Sequence, residues 1–114
     1  MDASFREMTW QSVDRIFADL HLTPGTPFPV AIMFRVRGEE SLSAVRAELE
    51  RAGLEVASVE KRRWPFGRRW EVFAKSSPQP IARTELEQWL DGLEATVSKY
   101  DAVVAGWVPV LPAA

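Results

Sequence analysis

The sequence predicts an α+β fold in which two amphipathic helices cover one face of a four-stranded antiparallel sheet. The first observation is the run Pro29–Arg37, in which four apolar residues share one side of a strand: Val30, Ile32, Phe34 and Val36. The second is that the other side of this run is mixed, which indicates a central strand with helices on one face only. The third is the order of patterns after an N-terminal helix: strand, helix, strand, strand, helix, strand.

The N-terminal residues 3–22 have the apolar spacing of an amphipathic helix, with Val13, Ile16, Phe17 and Leu20 at i, i+3, i+4 and i+7. Two prolines and a glycine in Thr23–Pro27 end this helix. We therefore divide the chain into an N-terminal amphipathic helix with its linker, residues 1–28, and a sheet domain, residues 29–112.

The middle of the chain reads as a second helix followed by a hairpin. Ser41 is a candidate N-cap for that helix, and Gly53 stands where a left-handed residue is expected at its end. Leu54–Arg63 is a strand whose charged end suits an edge position. Trp64–Gly67 has the proline and glycine of a type I turn, and Arg68–Lys75 returns as a third strand. Three residues of the returning strand share a face: Trp70, Val72 and Ala74.

The C-terminal part adds a long helix and a last strand. Arg83–Lys99 carries a continuous apolar stripe, and Ala102–Leu111 contains Pro109, which favours an edge strand. Two right-handed crossovers place both helices on the same face, with strands one and three in the centre. This arrangement is the ferredoxin-like βαββαβ sandwich, here with an extra N-terminal helix.

Composition and motifs argue against several functional classes. The 114 residues contain no cysteine, and the formal charge of −2 gives no general attraction to nucleic acid or membranes. No apolar run reaches the roughly 20 residues of a membrane span, and no signal peptide is visible, so we expect a cytoplasmic protein. His21 is the only histidine, and its position at a helix end favours a dipole interaction over catalysis. We expect no enzymatic activity, cofactor or metal.

A basic and aromatic hairpin is the most informative local cluster. Five cations fall within nine residues, and two aromatic residues lie between them. The cluster comprises Lys61, Arg62, Arg63, Trp64, Phe66, Arg68 and Arg69. It suits contact with an acidic protein surface or with a phosphate backbone. It also suits a solvated hairpin whose charges keep an edge strand soluble, and the sequence leaves the three readings open.

The face of the sheet opposite the helices is the second candidate surface. Met33, Phe73 and Trp107 are candidates for exposure there, and such an apolar patch indicates a partner. The N-terminal helix could cover it, or two sheets could pack face to face as a homodimer. An RNA-stacking platform is disfavoured, because Trp70 and Phe73 are three residues apart and point to opposite faces.

The C-terminal half resembles the regulator of ribonuclease activity B family, which comprises small inhibitors of ribonuclease E with a ferredoxin-like core. The resemblance is carried by Tyr100 and Asp101 after the long acidic-faced helix, and by Gly106 and Trp107 in the last strand. Family members show a Tyr-Asp-Gly-Trp-like signature at this place, which is stretched here by four intervening residues. The resemblance spans roughly residues 29–112.

The resemblance implies a non-catalytic protein that binds a ribonuclease or its scaffold and limits RNA turnover. We expect the hairpin cluster to make the contact, and Tyr100, Asp101 and Trp107 to shape the entry to the last strand. Two alternatives are a ferredoxin-like module for dimerisation or small-ligand sensing, and an RNA-binding protein. An apolar pocket between the sheet and the N-terminal helix would favour ligand sensing.

Overall fold

The computed structural model describes residues 3–64 and 67–111, without the side chains of residues 3, 63, 64, 67 and 68. The helices are α1 (Ala3–Asp19), α2 (Leu42–Arg51) and α3 (Arg83–Ser98), and a short 3-10 turn, Glu39–Ser41, precedes α2. The strands are β1 (Pro27–Phe28), β2 (Val30–Val36), β3 (Glu55–Trp64), β4 (Gly67–Lys75), β5 (Gln79–Pro80) and β6 (Ala102–Pro109). The predicted α+β class with a four-stranded antiparallel sheet is confirmed.

The main sheet has the strand order β3-β4-β2-β6, and every neighbouring pair is antiparallel. The strands β2 and β4 are therefore central, whereas β3 and β6 form the edges. A second, two-stranded ladder pairs β1, which lies in the predicted linker after the N-terminal helix, with β5. Ser76 extends the pairing of β2 with β4 by one position, because its buried Oγ accepts the Val30 N–H at 3.0 Å.

One face of the sheet is packed against the helices, and we call it the covered face. It is defined by Val30, Ile32, Phe34 and Val36, which are at most 1% exposed. Helices α1, α2 and α3 all contribute to the same hydrophobic cluster. Burying one such aliphatic or aromatic side chain contributes roughly 1.5–3 kcal/mol, so this face anchors the fold. The opposite face, which presents Ala31, Met33 and Arg35, is the open face.

A bulge in β6 changes which face Trp107 occupies. Phe34 is opposite Val104 and Met33 is opposite Gly106, so Ala105 is an extra residue between them. Because strand side chains alternate between faces, this extra residue moves Trp107 to the covered face, opposite Ile32. Trp107 is 5% exposed there. Its expected exposure on the open face is therefore wrong.

Helix α1 packs beside α3 and β6 rather than across the open face. The Trp10 and Trp107 rings meet edge to face, with 5.1 Å between their centroids. The Trp10 indole N–H donates to Glu87 Oε1 of α3 at 2.9 Å, and Arg6 pairs with Asp91 at 2.6 Å. Val13 and Phe17 continue the buried side of α1. The N-terminal helix thus shares the hydrophobic cluster of the covered face.

Both of the first two helices end in a left-handed residue. Gly53 has a φ of 88°, and the Leu54 N–H donates to the Leu49 carbonyl at 2.9 Å, which confirms the predicted helix end. The same hydrogen-bond pattern ends α1, where His21 takes a φ of 57°. Ser41 lies at the N-cap position of α2, but its side chain makes no capping hydrogen bond.

Candidate functional site

An apolar depression occupies one half of the open face. It has a volume of about 340 Å³, and residues of β2, β4 and β6 form much of its lining. Met33 is directly opposite Phe73 on one side and Gly106 on the other, and both of these neighbours line the depression. Val108, at its rim, is 58% exposed. Ala31 and Ala57 also line it, and we call this surface the apolar depression.

An arginine pocket of about 100 Å³ occupies the other half of the open face. Its cations are Arg35 of β2, Arg37 just beyond β2, and Arg69 of β4. Asp101 and Val103 complete the lining, and Asp101 Oδ2 lies 3.7 Å from Arg37 Nε. Among the described residues, the pocket therefore holds three guanidinium groups and one carboxylate, which pairs with Arg37.

Two of these arginines have no carboxylate partner among the described residues. Arg35 and Arg69 are both partly buried, and neither forms an ion pair there. Glu71 is directly opposite Arg35 in the register, but its Oε1 accepts the Nε–H of Arg62 at 2.6 Å. Arg62 thus takes the carboxylate that would otherwise neutralise Arg35, and positive charge remains at the end of the open face.

The hairpin cations predicted as one contact cluster are separated by strand alternation. Arg62 belongs to the open face and also pairs with Glu60 at 3.0 Å, and its hydrogen bond with Glu71 raises the pKa of its guanidinium. Lys61 is opposite Trp70, on the covered-face side, with Nζ 5.5 Å from the centroid of that ring. Of the hairpin cations whose side chains are described, Arg69 is the one that lines the arginine pocket. The structure does not describe the other predicted contact groups, which are the side chains of Arg63, Trp64 and Arg68 and the whole of Phe66.

The signature pair Tyr100 and Asp101 forms the turn from α3 into β6. Asp101 has a φ of 58°, and its carbonyl accepts the Arg37 N–H at 3.3 Å. The Tyr100 hydroxyl donates to Glu48 Oε1 of α2 at 3.4 Å, and Lys99 Nζ lies 3.7 Å from the same oxygen. These contacts attach the turn to both α2 and β2.

Glu48 is the ionisable centre of that junction. Burial disfavours its charged form, but the positive charges of Lys99 and Arg51 outweigh burial and hold the pKa of the carboxyl below its usual value. Arg51 Nη1 lies 2.9 Å from Glu48 Oε1. Glu48 therefore acts as a structural anchor for the turn rather than as an acid or base.

The other two signature residues differ in what they do. Trp107 belongs to the hydrophobic core, as described above. A β carbon at Gly106 would lie 3.8 Å from the Phe5 ring, which is an ordinary contact, so the fold does not require glycine there. Packing explains the tryptophan, whereas the glycine is one of the residues that line the apolar depression.

A further cavity of about 320 Å³ lies between α1 and the segment before α3. Val13 and Phe17 line it from α1, Leu22 and Pro24 from the linker, and Ile81 from the segment before α3, with Asp14 as a charged residue. It differs in place from the expected ligand pocket between α1 and the sheet, because no strand of the main sheet lines it.

Sequence reasoning did not identify the arginine pocket as a site. Alternation along β2 does place Arg35 and Arg37 on the open side of a central strand. The missing information was the register of β4, which brings Arg69 beside them. Within residues 3–64 and 67–111, no three potential metal ligands cluster, and no helix is both long and apolar enough to span a membrane.

Comparisons with known proteins found no match, either among family models or among curated proteins. The resemblance to the regulators of ribonuclease activity B remains a prediction from the signature residues. The candidate site is therefore defined by its own geometry: the apolar depression and the arginine pocket, side by side on the open face.

Proposed function

We propose that this protein is a non-catalytic regulator that binds a ribonuclease of the ribonuclease E type, or its scaffold, and limits RNA turnover. The observation that carries the proposal is the open face itself. Helices cover one side of the sheet, α1 included. The central strands keep an apolar depression accessible on the other side, together with Arg35 and Arg69, which have no ion pair among the described residues. Uncovered apolar surface next to unpaired charge is typical of a binding surface.

The residue types on this face support a protein partner. Methionine, aromatic residues and arginine are enriched in the cores of protein interfaces, and Met33, Phe73 and Arg69 provide all three. The signature residues Tyr100, Asp101 and Trp107 support a ribonuclease as the partner. Because the signature residues stabilise the fold, we propose that the contact is made by the open face together with the predicted hairpin cluster, whose Arg62 and Arg69 lie on that face.

We further propose that the fold is the ferredoxin-like sandwich. The element order β2-α2-β3-β4-α3-β6 and the sheet order β3-β4-β2-β6 support it. The small ladder of β1 and β5, together with α1, is then an addition to that core. In this arrangement the free side of the two central strands is the surface that the partner would meet.

The test is an RNA cleavage assay with purified ribonuclease E and increasing amounts of this protein. We expect cleavage to slow with dose, and we expect the protein alone to leave the RNA intact. Met33→Lys should abolish the effect, because it places a charge in the apolar depression. Met8→Lys is the matched control, because Met8 is 65% exposed on α1. Equal inhibition by wild type and Met33→Lys would remove the open face from the proposal, and no inhibition at all would remove the ribonuclease.

A homodimer is the second candidate, favoured by the same apolar depression, since two copies could pack open face to open face. Light scattering across a concentration series distinguishes the two. A dimer that Met33→Lys converts to a monomer would assign the face to a second copy. RNA binding is less well supported, because Trp70 lies on the covered-face side and Phe73 is the only aromatic residue on the open side of the described central strands.

A further inference from the structure

We infer that the arginine pocket receives a carboxylate of the partner while the apolar depression receives a neighbouring apolar side chain. The partner segment therefore contains an acidic residue close to an apolar residue. This inference rests on the proposed function for the existence of a partner, but it specifies the chemistry of the segment that docks. It also makes Arg35 and Arg69 the specificity-determining residues.

The described residues of the arginine pocket carry an excess of positive charge. Arg35, Arg37 and Arg69 line a volume of about 100 Å³ with Asp101 as their carboxylate. Arg35 and Arg69 are partly buried, so each has lost part of its hydration without gaining an ion pair among the described residues. An incoming carboxylate would restore this lost interaction, and guanidinium groups bind carboxylates through paired hydrogen bonds.

The apolar depression and the arginine pocket are neighbours along β2. Met33 belongs to the apolar depression and Arg35 to the arginine pocket, and the two are two positions apart on the same side of β2, with Phe34 between them. Two residues of a strand span about 7 Å. An extended partner segment repeats this spacing between its own residues i and i+2. An apolar residue at i and an aspartate or glutamate at i+2 would then reach both features at once.

The open face would bind segments of other composition poorly. A basic residue at i+2 would face three guanidinium groups against the single carboxylate of Asp101 among the described lining residues, which is a repulsive contact. A polar residue at i would leave the apolar depression exposed. RNA phosphates would suit the arginines, but apart from Phe73 the open side of the described central strands offers no aromatic side chain on which a base could stack.

The test is an NMR titration of the isotopically labelled protein with short synthetic peptides. The first peptide alternates glutamate with leucine, the second alternates lysine with leucine, and the third alternates glutamate with serine. An eight-nucleotide single-stranded RNA is the fourth probe. We expect the first peptide to shift the Nε–H signals of Arg35 and Arg69 together with the backbone signals of Met33 and Phe73. The second should shift none of them, and the third should bind more weakly and shift the arginine signals alone.

The variant Arg35→Gln/Arg69→Gln should weaken binding of the glutamate–leucine peptide about tenfold or more, because hydrogen bonds to charged groups are lost. The matched control is Arg15→Gln/Arg46→Gln, which changes two exposed arginines of α1 and α2 and should leave binding unchanged. Equal binding by both variants would overturn the inference, as would tighter binding of the RNA at the same signals. Ribonuclease inhibition that survives Arg35→Gln/Arg69→Gln would overturn the inference while leaving the proposed function intact.

Discussion

Replacing Trp107 tests the architecture that leaves the open face free. The side chain is 5% exposed, and its ring packs at 5.1 Å against Trp10 of α1. Truncating a buried tryptophan to alanine costs about 3–5 kcal/mol, so we expect Trp107→Ala to lower the free energy of unfolding by that amount. A domain of this size commonly has about 5–15 kcal/mol of stability in total. The variant should therefore unfold at a much lower denaturant concentration.

A double-mutant cycle isolates the contact between the two rings. With Trp10→Leu and Trp107→Leu as the single variants, we expect a coupling energy of about 0.5–1.5 kcal/mol for the edge-to-face pair. Urea unfolding followed by far-ultraviolet circular dichroism is the assay, because removing tryptophans changes the fluorescence signal. The dependence on urea concentration should stay constant if the variants alter stability alone.

Val108→Ala is the matched control for this series. Val108 follows Trp107 in β6, is 58% exposed, and should change stability by no more than about 0.5 kcal/mol. If Trp107→Ala cost no more than Val108→Ala, Trp107 would not be buried beneath α1. A coupling energy near zero would have the same meaning, and α1 would then be free to lie across the open face.

Three further predictions concern single residues outside the candidate site. Ser76→Ala should cost about 1–3 kcal/mol in urea unfolding, because it leaves the buried Val30 N–H without its hydroxyl acceptor, whereas Ser77→Ala should cost little. His21→Gly should raise the melting temperature through a gain of about 1 kcal/mol, since glycine adopts a φ of 57° without strain, and no gain would contradict the left-handed helix end. The lowered pKa of Glu48 means that its charge stabilises the fold above its usual value of 4.5, and that this contribution is lost as pH falls through the lowered pKa. Glu48→Gln should therefore lose less stability than wild type between pH 5 and pH 3, and identical pH profiles would show that its ion pairs contribute nothing.

The sequence predicted the division of the sheet into two faces because alternation along β2 is a local property. Val30, Ile32, Phe34 and Val36 can all be buried only if the helices lie on their side of the strand. The same logic failed for Trp107, because an extra residue at Ala105 reverses the alternation within β6. A glycine inside a strand is a recognised sign of a bulge, and Gly106 was the available signal.

The candidate site was only partly predictable, because it depends on which residues meet across strands. Adjacent cations in the hairpin looked like one cluster, but alternation sends Lys61 and Arg62 to opposite sides. The pairing of Arg62 with Glu71 depends on the register between β3 and β4. The same register therefore decides that Arg35, which is opposite Glu71, forms no ion pair among the described residues. Sequence alone gives the strand and the side of each residue, whereas the register decides which charges remain uncompensated.

The most direct measurement is methyl NMR of the methionine side chains during titration with purified ribonuclease E. Met33 reports on the open face, and Met8, which is 65% exposed on α1, reports on the helical side. Partner contact at the free side of the central strands predicts that the Met33 methyl signal shifts or broadens while the Met8 signal stays in place. A Met8 signal that responds while Met33 remains unchanged would contradict it.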